Sequence, residues 1–392
     1  MRFARRLQSF GSNVFADMDL AKAQARVQGK TIIDLSLGSS DLPTPSPILD
    51  TITTALRDPD THGYVLHQGT ADLRKAITVW YERRFNVAVN PETEVLTLIG
   101  SQEGTAHLPL AILNPGDVAL LLDPGYPSHS GGVYLAGGEI YPMPLLPENQ
   151  FLPVFDDIPD QVLSRAKLMV LSYPHNPTTA IAPLHFFQAA TEFCQRHDLV
   201  LVHDFPYMDL VFDGTDLPPS VLQADPHKTC SIEFFTLSKS YNMGGFRVGF
   251  AIGNPQLITA LKQIKAVIDF NQYQGILRGA IAALQSPPQM VENTVTTFAE
   301  RRIALVNALA AIGWSVPLPQ ATMYVWAKLP PNWSDKSVEF CRQLVAMTGV
   351  ALSPGAGFGP TGEGYVRFAL VKAPETLATA VAKIGEFLQP ID

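Results

Sequence analysis

Cysteine is scarce in this chain. The 392 residues hold only Cys194, Cys230 and Cys341, far apart, odd in number and without a C-x-x-C pair. That argues against a disulfide framework or a zinc site and suits a reducing compartment, with all three read as small apolar core residues. No uninterrupted apolar run is long enough to span a bilayer. The start, "MRFARRLQSFGSNVF", is basic, but the apolar stretch of a leader does not follow it. It reads as a mature cytoplasmic N-terminus, or a short arm that packs on a partner subunit. Charge is also sparse: 16% of residues are charged, the formal net charge is -8, and no block of one sign stands out. The lack of a basic stripe argues against nucleic acid as the main partner. The 32 prolines are scattered, so there is no low-complexity linker, and no internal repeat is visible.

What is present is apolar and long. Apolar residues make up 46% of the chain, and 392 residues exceed one ordinary core, so two lobes are expected. Between about 45 and 255, short β-branched runs alternate with helical segments. The candidate strands are "EVLTLIG" (94–100), "VALLLD" (118–123), "KLMVLSY" (167–173), "LVLVHD" (199–204), "SIEFFTL" (231–237) and "RVGFAI" (247–252). Several are continuous apolar runs, as in strands covered on both faces of a mainly parallel sheet. "SQEGTAHLPLAIL", ended by "NPG", and "LHFFQAATEFCQRH" read as helices between them. The architecture is α/β, an open doubly wound sheet. After about 285 a long helix, "VENTVTTFAERRIALVNALAAIG", opens a different pattern of helices and strands, a smaller α+β lobe. The expected division is 43–285 for the large domain, with 1–42 and 286–392 forming the small one.

In open α/β sheets, ligands sit beyond the carboxyl ends of the strands. Gly100-Ser101-Gln102, Asn176-Pro177, Asp204 and Ser238-Lys239 each follow a candidate strand, so four strands deliver polar groups to one rim. Singly, each has an ordinary reading as a cap or a turn. The stretch "FFTLSKSYNMGGFRVGF" adds a second oddity: Lys239 and Arg247 lie among small and aromatic residues with no acid to pair them.

The segments "SLGSSDLPTP" (36–45), "GYVLHQGTADLR" (63–74), "GSQEGTAHL" (100–108), "DPGYPSH" (123–129), "SYPHNPTTA" (172–180), "HDFPYMDL" (203–210), "SKSYNMGGFRVG" (238–249) and "GYVRFAL" (364–370) carry a resemblance. In order and over nearly the whole chain, they resemble the fold-type I pyridoxal-phosphate enzymes and, within them, the class I/II aminotransferases. The resemblance implies that Lys239 forms the Schiff base with pyridoxal 5'-phosphate. Desolvation and a neighbouring cation favour the reactive neutral amine, and Arg247 is that cation. By the same resemblance Arg247 pairs with the phosphate, helped by Thr236, Ser238 and the backbone of Ser101 and Gln102 at a helix start. The resemblance further implies that Tyr64 reaches the phosphate across a dimer interface, and it gives the ring and the substrate their partners. Asp204 keeps the pyridine nitrogen protonated, Tyr207 and Asn176 bond the ring 3-oxygen, and Tyr126 stacks on the ring. Arg367 clamps the substrate α-carboxylate beside Gly38 and Asn176, as a bidentate guanidinium suits that planar anion. The family usually has Gly after Asn-Pro-Thr, whereas this chain has Thr179, which bears on the local turn.

The implied activity is ping-pong transamination between an amino acid and a 2-oxo acid, in a cytoplasmic homodimer with active sites shared across the interface. Lys239, Asp204 and Tyr207 are the catalytic residues, and no metal is expected. A carbon–sulfur lyase on the same fold keeps the cofactor and changes the reaction. A non-catalytic regulator is disfavoured by the complete residue set, and a nicotinamide oxidoreductase by the lack of GxGxxG after the first strand. The opening of the chain resembles the branch with LL-diaminopimelate and aspartate-type aminotransferases. Asn271, Gln272 and Tyr273, near the expected side-chain pocket, are uncharged, so no second arginine for a dicarboxylate can be named.

Overall fold

Runs of apolar residues four to six long become strands covered on both faces. A computed structural model describes residues 3–10, 14–212 and 214–389. The expected N-terminal arm and small domain therefore include positions, 1–2, 11–13 and 390–392, that lie outside the described residues. In chain order the strands are β1 (Ile33–Asp34), β2 (Val95–Leu98), β3 (Val118–Asp123), β4 (Glu139–Pro144), β5 (Ala166–Leu171) and β6 (Val200–Asp204). Then come β7 (Ser231–Thr236), β8 (Gly249–Gly253), β9 (Tyr324–Lys328), β10 (Val350–Ala351), β11 (Ser353–Pro354) and β12 (Tyr365–Ala369).

Seven of them form one sheet in the order β2-β8-β7-β6-β5-β3-β4. Strands β4, β3, β5, β6 and β7 run parallel, and β8 is antiparallel to both β7 and β2. The reading as a mainly parallel doubly wound sheet therefore holds. Strand β4, "EIYPMP", had no counterpart among the expected strands. It carries two prolines, both exposed, which a sheet tolerates only at its edge.

One face of the sheet packs Leu108, Val133, Leu257 and Leu261 from the helices Ser101–Ile112, Pro127–Ala136 and Pro255–Ile268. The other packs Ile77, Phe187 and Leu277 from Ala71–Phe85, Leu184–Arg196 and Gln274–Leu284. Glu233, in the middle of buried β7, looks misplaced in such a core. Its carboxylate accepts from His203 Nδ1 at 2.7 Å, Ser220 Oγ at 2.7 Å, the Val221 amide at 3.0 Å and the Tyr81 hydroxyl at 3.1 Å. Four donors meet the charge where water cannot.

A second core surrounds the antiparallel sheet β11-β12-β9 and includes Leu35, Phe298, Leu344 and Ile384. Arg367 on β12 pairs in register with Ser353 and Trp326. Opposed residues share a face of a sheet, and side chains alternate, so Tyr324 stands diagonally beside Arg367. Segment 205–212 ties the two cores together: Val211 bridges Ala321, and the Thr322 amide donates to Leu210 at 2.7 Å.

Candidate active site

The carboxyl ends of β2, β3, β5, β6 and β7 open on one rim. Because β8 runs the other way, the residue just before it arrives at that rim as well. Lys239 and Arg247 thus sit at the two ends of the loop between β7 and β8. A cavity of about 420 Å³ lies there, and every residue expected to serve catalysis, cofactor or substrate binding lines it except Tyr64; Asn271, Gln272 and Tyr273, expected near the side-chain pocket, do not line it either.

Lys239 rides on a single helical turn, Leu237–Ser240, capped by the Thr236 hydroxyl, which accepts from the Ser238 amide at 3.2 Å. The turn is anchored from behind: Ser240 Oγ donates to Asp209 at 2.5 Å, and Asp209 is paired with Arg84 at 2.8 Å. Lys239 Nζ donates to the Gly38 carbonyl. Arg247 adopts a left-handed backbone, φ 54°, and its guanidinium lies against the α-carbon of Gly100. Gly100 also has positive φ, 99°, and a Cβ there would overlap that guanidinium. Only glycine admits both demands. The guanidinium and the start of the helix Ser101–Ile112 therefore share one corner, with the hydroxyls of Thr236 and Ser238 beside it. That donor set suits a phosphate.

Asp204 is buried. Its Oδ2 meets His129 Nε2 at 3.0 Å, while its Oδ1 is buried with no partner. A buried carboxylate oxygen left unmet marks the place of a missing donor, as a pyridinium N–H would be. Tyr207 and Asn176 flank it, and Tyr126 stands over the cavity. Burial raises the Tyr207 phenol well above its ordinary value, and burial raises Tyr126 as well. Arg367 is buried. It donates to Asn176 Oδ1 at 2.7 Å, to the Ser36 carbonyl at 2.8 Å and to Ser353 Oγ at 3.3 Å, and its Nε–H has no partner. Since Asn176 spends its oxygen on Arg367, its amide N–H₂ remains to face the cavity. Two arginines and a lysine against one carboxylate make a pocket for two anions. Pyridoxal phosphate with an amino-acid carboxylate fits these donors.

Two residues of this site escaped the sequence reading. His129 sits one helical turn after Tyr126 and holds Asp204; its presence in "DPGYPSH" was the available signal. Tyr324 lies far along the chain, yet its hydroxyl is 2.8 Å from that of Tyr207, and the Arg367 guanidinium lies 4.1 Å from its ring centre. Tyr64 stands apart. It is 87% exposed, and its ring meets Phe270 at 5.5 Å. Glu103, His107 and Asp269 also gather like metal ligands, but Lys265 Nζ fills their centre, 2.8 Å from both Glu103 and Asp269.

A family profile, "Aminotransferase class I and II", matches residues 30–384. An LL-diaminopimelate aminotransferase of Dehalococcoides mccartyi is 43% identical over 99% of both chains. Among solved structures, a probable N-succinyldiaminopimelate aminotransferase of Thermus thermophilus superposes with a TM-score of 0.90 at 43% identity, covering 96% of this chain and 100% of that one. Substrate-bound BacF of Bacillus subtilis gives 0.95 at 34%, covering 100% and 99%.

Proposed function

We propose a substrate and a set of residue roles from one premise: the chain belongs to the class I and II aminotransferases. It is a pyridoxal-phosphate-dependent enzyme of fold type I that acts on small molecules, an amino acid and a 2-oxo acid. The observation that carries the residue assignment is the convergence of Lys239 with the two orphaned groups, Asp204 Oδ1 and Arg367 Nε, in one cavity.

When bound, the cofactor supplies an electron-accepting ring that acidifies the substrate Cα. Asp204 accepts the ring N–H and holds that nitrogen cationic, while His129 fixes the carboxylate's other oxygen. Tyr207 and the Asn176 amide donate to the 3-oxygen. Arg247, Thr236, Ser238 and the amides of Ser101 and Gln102 hold the phosphate, and Tyr126 covers the ring. Arg367 grips the α-carboxylate beside Gly38. Lys239, as a free amine beside the bound substrate, would take the proton from Cα and deliver it to the carbon on the cofactor side of the substrate nitrogen. The second half-reaction uses the same residues in reverse with a 2-oxo acid, which gives ping-pong order.

The proposed donor is LL-diaminopimelate. Curated relatives that match over the full chain carry that name. The lining of the cavity also includes Ser39, Ser40 and Asn242. Uncharged donors and acceptors suit a zwitterionic far end better than the lone second carboxylate of aspartate. A donor panel tests this, scored by loss of the cofactor's visible band. LL-Diaminopimelate should outpace aspartate, glutamate, and aromatic and aliphatic amino acids; faster reaction of aspartate would overturn the assignment. Cystathionine, which carries a sulfur leaving group on Cβ, separates the lyase: an aminotransferase given this donor alone should leave the amino form of the cofactor, whereas pyruvate released together with a thiol would indicate the lyase.

The proposed assembly is a homodimer in which Tyr64 acts on the neighbouring site. Tyr64, Val267, Ile268 and Phe270 are exposed apolar side chains. Asn271 donates to the Val65 carbonyl at 2.9 Å, which joins the 269–273 loop to the Tyr64 loop. An apolar patch of this kind marks an interface. Light scattering that found only active monomer would refute it. The division at 42/43 and 285/286 and a cytoplasmic location complete the proposal. The separate second core supports the first, and three free cysteines suit the second. No helix among the described residues is long and apolar enough to cross a membrane.

A further inference from the structure

We propose that Tyr324 is a positioning residue for Tyr207, donating its phenolic hydrogen to the Tyr207 oxygen so that the Tyr207 hydrogen is directed at the cofactor's 3-oxygen. The inference rests on the role assigned to Tyr207 above. A phenol has one hydrogen to give. The two hydroxyls are 2.8 Å apart, and either can be the donor on geometry alone. Once Tyr207 spends its hydrogen on the 3-oxygen, the shared bond can only run from Tyr324 to Tyr207.

The surroundings hold Tyr324 in that one place. It is 1% exposed, so water offers no alternative partner. Its ring is fixed from β9, at 5.6 Å and 75° to the ring of Tyr207, with the Arg367 guanidinium over its face. On the other side lies the α-carbon of Gly38, where any Cβ would overlap the Tyr324 hydroxyl. Glycine at 38 is therefore what leaves room for this phenol. A donor received by an oxygen polarises that oxygen's own O–H and strengthens its donation.

The charged and titratable neighbours are Lys239, Arg367, Tyr207, Tyr126 and Asp204. Burial opposes ionisation of Tyr324, but Arg367, Lys239 and the hydrogen bond shared with Tyr207 outweigh it and bring the phenol below its ordinary value.

The negative 3-oxygen stabilises the proton on the nitrogen that links Lys239 to the cofactor. Donors to that oxygen spread its charge and lower the pH at which the linkage loses its proton. Titrating the visible band of the holoenzyme reads this midpoint. Tyr324→Phe keeps the ring over which Arg367 lies and removes only the hydroxyl. It should raise the midpoint by roughly 0.1–0.7 pH unit, the share of a charge-assisted bond that cooperativity supplies. Tyr207→Phe should raise it further, and adding Tyr324→Phe to that variant should change nothing more. An unmoved midpoint in Tyr324→Phe, or an equal rise with and without the Tyr207 hydroxyl, would overturn the proposal. If Tyr207→Phe itself leaves the midpoint in place, the assignment of Tyr207 fails first.

Discussion

Replacing Arg367 by lysine keeps the positive charge and removes the fork. The guanidinium spends one nitrogen on Asn176 and another on Ser36 and Ser353, and it keeps Nε–H unspent. Lysine presents a point charge and cannot meet a carboxylate along two parallel bonds. One charge-assisted bond to the substrate is lost, about 1.5–3 kcal/mol, or roughly 10- to 150-fold in kcat/KM. The substitution also leaves Asn176 Oδ1 and the Ser36 carbonyl short of a donor, for about 1–3 kcal/mol of stability. The assay that separates these effects compares two donors: an amino acid, and the amine of the same skeleton without its carboxylate. The amino acid should lose the full factor. The amine, which never used the clamp, should change less than about threefold if the clamp's bond is the main loss. Equal losses for both would mean that the damage runs through Asn176 and the fold. A variant within threefold of wild type on the amino acid would refute the clamp.

Two further outcomes follow from the loop after β5. Thr179 occupies a left-handed backbone, φ 66°, where a β-branched residue is strained. Thr179→Gly relieves about 1–2 kcal/mol of strain, while the freer unfolded glycine gives back about 0.4–1 kcal/mol. Urea melts should show a net gain of up to about 1.6 kcal/mol, and a loss of stability would contradict this reading. His175 is buried and pushed down to about 3 by burial, with His129 adding to the effect. The unfolded chain binds its proton near pH 6.5 and the folded chain does not. The stability it contributes is therefore complete above pH 6.5 and is lost as pH falls toward 3, by a few kcal/mol in all. His175→Gln should flatten the fall in melting temperature between pH 6.5 and 4; an unchanged slope would refute the assignment.

The sheet was legible because its strands are short and buried on both faces, which leaves continuous apolar runs such as "VALLLD". Strand β4 was not, since two exposed prolines resemble a loop, and only its edge position reconciles them with a strand. The rim was legible because chemistry follows strand ends, so Asp204 and Lys239 announce themselves locally. Tyr324 could not be found that way. Its partner is 117 residues distant in the chain, and its place depends on strand register in another sheet. Glu233 shows the same limit: a lone acid in an apolar run is explained only by four donors gathered from elsewhere. The missing glycine after "NPT" was legible as a departure. The structure gives it a physical content, since the position keeps the backbone that glycine would favour.

The most direct measurement is borohydride reduction of the holoenzyme, followed by proteolysis and mass analysis of the peptide that contains "FFTLSKSYNMGGF". The account expects the cofactor's mass fixed on Lys239, and no visible band in Lys239→Ala incubated with pyridoxal phosphate. A label on another lysine, or an undiminished band in that variant, would contradict it.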